Sequence, residues 1–379
     1  MPLARRAGRA ALLFTFAAFC CAAQAYADPD PIDFGADYTQ DFLYNAAGGL
    51  NRGGGAPGIV HFNGTFDSGS GNVVYADMLG TFGGSISNQV GDRQGVSNVA
   101  AHNTFKLYKA WYQHSFGASG VSARLGLQDY AALFNMLGPA QLFLNSSFGT
   151  DPTISQVAPS IFPTTALGAV VRWQSASGFY AMGGVYDGVP GEPGHPAGTH
   201  IAWHSHDGAF SALELGLAAN TQRPCKVAVG GWYRSTDYVD ALGRPRSSDG
   251  GVYAIGSVRV AGGPARPATS LFLQVGRARG DRNPLHGYVG AGVTVAGPIA
   301  GRPDDTFGFG VARAATSDLF RRVTAAPAAA ETAIELSYQA VLTPRFVLQP
   351  DVQYVVHPGG TERIDNAWVI GMRVAYEWP

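Results

Sequence analysis

The chain has 379 residues, 51 of them glycine, with 26 Lys and Arg against 27 Asp and Glu for a formal charge of −1. Charged residues make up only 14%, against about 25% in soluble domains, and no apolar run beyond residue 27 reaches the ~18 residues a spanning helix needs. The charge balance excludes a polyanion-binding surface, the glycine count excludes a helix bundle, and the many aromatic and β-branched residues exclude a disordered chain.

Residues 1–27 read as a cleaved secretory signal peptide. Arg5, Arg6 and Arg9 form the basic head, Ala10 to Ala23 the apolar core, and Ala25-Tyr26-Ala27 the small-residue cleavage site. Cys20 and Cys21 leave with it, so Cys225 is the sole cysteine of residues 28–379 and allows neither an intramolecular disulfide nor a cysteine metal cluster. Residues 28–379 read as one domain, because no linker divides them.

Two-residue alternation bounded by Gly, Pro, Asp and Asn predicts strands over 36–46, 57–67, 80–90, 104–116, 121–130, 165–174, 178–187, 209–219, 226–236, 250–260, 269–278, 286–296, 306–314, 331–342, 345–356 and 366–378. Val73 to Leu79 stays open among a strand of its own, a continuation of 57–67 and a short helix. Sixteen strands is an even number, which returns both ends of a bacterial barrel to the periplasm. Ser175-Ala176-Ser177 and Thr343-Pro344 are tight turns, whereas 131–164, 188–208, 237–249 and 314–330 are long. Short connections inside and long ones outside are the outer-membrane pattern, and 131–164 is long enough to fold into the lumen.

The last strand separates its faces most cleanly. Trp368, Ile370, Met372, Val374, Tyr376 and Trp378 share one side, and Ala367, Val369, Gly371, Arg373, Ala375 and Glu377 the other. A charge facing lipid at mid-membrane costs about 2–4 kcal/mol, which directs Arg124, Arg172, Glu214, Arg259, Glu335, Asp351 and Arg373 inward. Gln128, Gln274 and Gln353 share those inner faces. Trp173, Tyr354, Trp368, Tyr376 and Trp378 suit the aromatic girdles at the membrane interfaces. A soluble β-sandwich would hide its apolar face and carry abundant charge outside, so the expected fold is an all-β transmembrane antiparallel barrel, sixteen-stranded, with one or more long loops in the lumen.

Several segments carry a specific likeness: Gly126-Leu127-Gln128-Asp129-Tyr130-Ala131-Ala132-Leu133-Phe134, Phe143-Leu144-Asn145-Ser146-Ser147-Phe148-Gly149, Phe162-Pro163-Thr164-Thr165-Ala166-Leu167-Gly168, Gly184-Val185-Tyr186-Asp187-Gly188-Val189-Pro190, and Gln349 to Gly360. Together they resemble the OprB family of carbohydrate-selective porins over nearly all of residues 28–379. The resemblance implies an outer-membrane barrel through which monosaccharides such as glucose diffuse. Where that family often has an Asp-Trp-Gly-Gly-like motif this chain has Asp33-Phe34-Gly35-Ala36, and Gln128 stands where a lysine is common.

A neutral, hydroxyl-edged sugar calls for donors and acceptors together at a narrowing. Arg124, Gln128, Arg172, Glu214, Arg259, Gln274, Glu335, Asp351, Gln353 and Arg373 supply both, and are the candidate pore-lining set. The arginines would also suit a pore for anions or organic acids, and a general size-selective porin is the third reading. An outer-membrane hydrolase would need a nucleophile beside a base, and no Gly-x-Ser-x-Gly elbow occurs. His195, His200, His204 and His206 lie in one Gly/Pro-rich loop with Asp207 as the neighbouring carboxylate, and no metal is expected there. The expected partners are small neutral sugars, outer-membrane lipids and the barrel assembly machinery, which reads a terminal aromatic such as Trp378. A homotrimer stays open beside a single barrel, and neither a cofactor nor nucleic acid is expected.

Overall fold

Each alternating segment satisfies its backbone groups by pairing with its neighbours in sequence, and the last strand closes on the first. In the computed structural model, which describes residues 31–378 apart from 193, 220–222, 241 and 264–265, sixteen antiparallel strands form a closed barrel. They are β1 Ile32–Gly49, β2 Gly58–Asp67, β3 Asn72–Phe82, β4 Thr104–Ser115, β5 Val121–Gln128, β6 Ala166–Gln174, β7 Phe179–Asp187 and β8 Ala209–Ala219. Next come β9 Cys225–Arg234, β10 Asp249–Gly263, β11 Arg266–Ala278, β12 Leu285–Ala296, β13 Thr306–Thr316, β14 Ala330–Thr343, β15 Phe346–Val356 and β16 Asp365–Trp378. β1 and β16 pair from Ala36↔Trp378 to Gly49↔Asp365, which leaves no free sheet edge. The signal peptide expected over 1–27 lies outside the described residues.

All sixteen expected strands overlap observed ones, but 80–90 does so only over 80–82 and needs correction. The strand there is β3, Asn72–Phe82, and residues 87–90 form a short helix. Val73 to Leu79 was obscured because its apolar residues fall on both faces, with Asp77 alone marking the inside. The strand ends at Gly83 and Gly84, both at positive φ, and a Cβ on Gly83 would lie 1.8 Å from the Ala56 carbonyl oxygen. β1 also begins earlier than expected, at Ile32, with Phe34 fully in the exposed row.

The burial pattern gives the two faces. Phe42, Leu125, Leu213, Leu273, Leu336 and Ile370 are exposed on the outer wall, while Asp41, Glu214, Gln274, Glu335 and Gln353 are buried inside. Among the described residues no helix is long and apolar enough to cross a membrane; the apolar exterior is carried by strands. Trp173, Tyr376 and Trp378 mark the rim that holds both chain ends, and the paired rings of Tyr354 and Trp368, with centroids 4.5 Å apart, mark the other. Short connections such as 68–71, 116–120, 175–178 and 344–345 lie at the first rim. The long ones, 83–103, 129–165, 188–208 and 235–248, lie at the second.

Candidate functional site: the barrel lumen

The segment 129–165 is tied to the inner wall along its length. Asn145 and Asp151 cap the one-turn helices Ser146–Gly149 and Pro152–Ser155 by accepting from the amides of Ser147 and Thr153. The segment's Tyr130, Phe134, Phe143, Phe148 and Ile154 pack with Tyr186, Phe210, Trp232, Tyr253, Phe272 and Tyr288 of the wall in one apolar core. Inward glycines make the space. A Cβ on Gly308 would stand 2.5 Å from Leu142 Cδ2, and one on Gly310 2.8 Å from Phe148 Cζ. On Gly276 it would overlap the Asp151 carboxylate, at 1.6 Å. Phe307 and Phe309 alternate outward on the same strand, so its Phe-Gly-Phe-Gly run serves lipid on one side and loop on the other.

All ten candidate residues lie on the inner face, and the structure divides them by role. Glu335 of β14 accepts from the amides of Leu144 at 2.5 Å and Asn145 at 3.0 Å. Gln353 of β15 donates to the carbonyls of Val96 and to Asp351, and accepts from Asn145 Nδ2 at 3.2 Å. Arg373 of β16 holds Asp41 of β1 in a fork, at 2.6 and 2.9 Å, and reaches Asn98 Oδ1 at 2.6 Å. Gln274 donates to the Phe148 carbonyl, and Gln128 to that of Gly168. Glu214 accepts from Tyr180 and Tyr253 hydroxyls and from the Asn135 amide, at 2.6, 2.7 and 2.8 Å. These six therefore fasten loops 83–103 and 129–165 to the wall or knit neighbouring strands. Arg124, Arg172 and Arg259 are only partly buried, nearer the rim of the chain ends.

A sequence profile described as "Carbohydrate-selective porin, OprB family" matches residues 68–377. The chain belongs to that family. Porin B of Pseudomonas aeruginosa is 25% identical over 310 residues, covering 72% of this chain and 68% of that protein. The putative porin QuiX of Acinetobacter baylyi is 28% identical over 95 residues, 20% of this chain and 22% of that one. The high-pH structure of Pseudomonas putida OprB superposes with a TM-score of 0.82 at 19% identity, covering 92% of this chain and 94% of that one. OmpT, an outer membrane protein of Vibrio cholerae in its trimer form, shares the barrel at a TM-score of 0.52 and 8% identity, covering 92% of this chain and 99% of that one. The family and the barrel together make this an outer-membrane protein and a channel rather than an enzyme.

In this OprB-family barrel the cations follow one another round the wall. Lys109 of β4 lies 3.2 Å from Asp77, whose other oxygen is 2.9 Å from His61 Nδ1. The Arg124 guanidinium lies 3.8 Å above the Trp111 ring, and that of Arg172 4.4 Å above Tyr180. Lys226 of β9 donates to the Met136 carbonyl at 2.7 Å and stands 3.8 Å from Glu214. Each cation is presented on or beside an aromatic face, a surface with donors for hydroxyls and a flat patch for C–H groups. Glu214 and Glu335 accept from loop amides instead, while the buried Asp41 is held by Arg373 and the Ser97 hydroxyl and the buried Asp351 accepts from Gln353.

Sequence reasoning missed Asp41, Asp77, Lys109 and Lys226. Parity could have found Asp41, which shares a face with Asp37 in the strand expected over 36–46, and Asp77 once Val73 to Leu79 is placed in a strand. Lys109 was hidden by a bulge: Asp77 pairs with Lys109 and Met78 with Leu107, so Tyr108 is the extra residue and parity breaks beside it. Two loop carboxyls also respond to their sites. Burial lifts Asp151 to about 6, with Thr153 pulling the other way through its amide and hydroxyl. Burial likewise raises Asp92, against hydrogen bonds from Ser87 and Gly95.

Proposed function

We propose that the barrel passes small neutral sugars of the glucose type by passive diffusion, and that selection occurs in the lumen left beside segment 129–165. One observation carries this reading: the segment is packed against the inner wall by an apolar core, and the partly exposed Arg124 and Arg172 beside it sit over aromatic rings. Arg124, Arg172, Lys109 and Lys226 would donate to sugar hydroxyls, and Trp111 and Tyr180 would meet the C–H face of the ring. Such contacts are weak and repeated, which a channel requires, because tight binding would stop flux. Transport then follows the sugar's own gradient. In this reading Glu335, Gln353, Gln274 and Glu214 set the aperture by holding loops, and do not touch solute.

Proteoliposome swelling with glucose, a larger oligosaccharide and a neutral non-sugar of glucose size tests the proposal. Glucose entering faster than both others supports it. Equal entry of glucose and its size-matched control would replace it with a general size-selective porin. The burial of the acids beside partly exposed cations also favours a second reading, a pore for organic acids or other small anions. A reversal potential that shows strong anion selectivity in a salt gradient would move the assignment there.

A further inference from the structure

The connection 188–208, between β7 and β8, runs along the rim opposite the chain ends as far as the top of β4. Its carbonyls at Pro196 and Ala197 accept from Lys106 and Thr104, and Thr199 donates to the Leu107 carbonyl at 2.9 Å. At its root the Thr236 hydroxyl lies 3.1 Å from the Gly188 carbonyl and 2.8 Å from that of Asp207, so the two ends of the strap are held together. His204, His206 and Asp207 stand at that root.

Their side chains converge. His204 Nδ1 is 3.0 Å from Asp207 Oδ2, and His206 Nε2 is 3.5 Å from Oδ1. The two rings stack at 5.4 Å with 18° between their planes, and the three ligand atoms lie within 4.8 Å of one another. The carboxylate is fixed before any ligand arrives, because Oδ2 also accepts from the His204 amide at 2.7 Å. Two donors at about 2.1 Å from a metal and 3.0–3.5 Å apart subtend about 90–113°. That span covers octahedral and tetrahedral coordination without moving the ligands apart.

Charge favours occupancy. The Asp207 side chain is 7% exposed, whereas those of His204 and His206 are 62% and 82% exposed. Asp187, also buried, is close enough to add its field to that of Asp207 and His204. Among the described residues neither carboxylate is found in an ion pair with Lys or Arg; Asp207 meets the two imidazoles and the His204 amide, and Asp187 the Val189 amide. Buried charge of this kind is stabilised by a cation, and paired imidazoles select the borderline transition metals over calcium or magnesium.

We propose that His204, His206 and Asp207 form a site for one divalent transition-metal ion of the zinc, nickel or copper(II) type at the root of the strap. Three protein ligands leave positions open to water. The second His-carboxylate group of the strap, Glu192 with His195 and His200 at 3.2 and 3.1 Å, is the internal control, because its carboxylate is half exposed and His200 Nε2 is engaged by the His195 carbonyl.

The test uses the full barrel in detergent, without a polyhistidine tag and stripped with chelator, titrated with Cu(II) under electron paramagnetic resonance and with Zn(II) in a calorimeter. One equivalent should bind, with splitting from two imidazole nitrogens. The variants H204A and H206A should each weaken binding at least tenfold, and H195A/H200A should leave it unchanged. Both altered histidines are exposed, so the heat-sensitive mobility of the folded barrel on gels should stay as in the parent. Equal binding by the parent and the H204A/H206A double variant would overturn the proposal. So would loss of binding in H195A/H200A, or a copper signal without nitrogen splitting.

Discussion

Glu335→Ala isolates the contribution of one side chain to the aperture. The carboxylate accepts from two amides of the infolded segment, Leu144 and Asn145, at 2.5 and 3.0 Å, and is fully buried. Leaving a buried amide without its acceptor costs about 1–3 kcal/mol, so losing both contacts costs about 2–6 kcal/mol of docking. Asp351 lies beside Glu335, and removing one acid relieves the other, which places the net loss near 3 kcal/mol. At about 1.4 kcal/mol per factor of ten, the ratio of docked to undocked segment falls about a hundredfold. The barrel ladder is untouched, because Glu335 pairs with Gly310 and Gln353 through backbone alone. Single-channel recording should then show a larger and noisier conductance, a larger oligosaccharide should enter liposomes, and protease added to intact vesicles should cut within 129–165. Glu335→Gln, which keeps one acceptor oxygen, should fall between. Unchanged conductance, size limit and protease resistance in Glu335→Ala would refute the view that this carboxylate holds the segment in place.

Gly310→Leu should displace the segment sterically, since even a Cβ there meets Phe148 at 2.8 Å; overpacking costs about 1–3 kcal/mol, and swelling with oligosaccharide should rise while the barrel still folds. Arg172→Ala removes a cation held over Tyr180, so the reversal potential should shift toward cations and glucose entry should slow; no change in either would remove Arg172 from the passage. Asp151, lifted from 3.8 to about 6 by burial, binds a proton more tightly when the segment is docked than when it is released. Docking is therefore fully supported below about pH 4 and weakens as pH rises through about 6, by up to about 3 kcal/mol, with no further change above pH 7. Protease sensitivity of 129–165 measured from pH 4 to 8 should follow that slope, and Asp151→Asn should flatten it.

The barrel was legible because lipid imposes its rule on every strand. A charge cannot face the hydrocarbon, so parity alone sent Arg124, Arg172, Glu214, Glu335 and Arg373 inward, and the structure has each of them there. Parity does not say what an inward side chain meets. Glu335 and Arg172 carry the same signal in sequence, yet one is capped by two loop amides and the other lies over a tyrosine ring. The difference is set by residues about 190 positions away, which no local period reports. What the chain does record is the space that docking needs: Gly276, Gly308 and Gly310 alternate with outward apolar residues, each where a Cβ would strike Asp151, Leu142 or Phe148. Glycine at inward positions of a strand weakens that strand, so a run of them opposite lipid-facing Phe307 and Phe309 marks a wall shaped to receive something. Here the occupant is the chain's own segment 129–165, so in the proposed reading the aperture is set by loop docking rather than by barrel diameter.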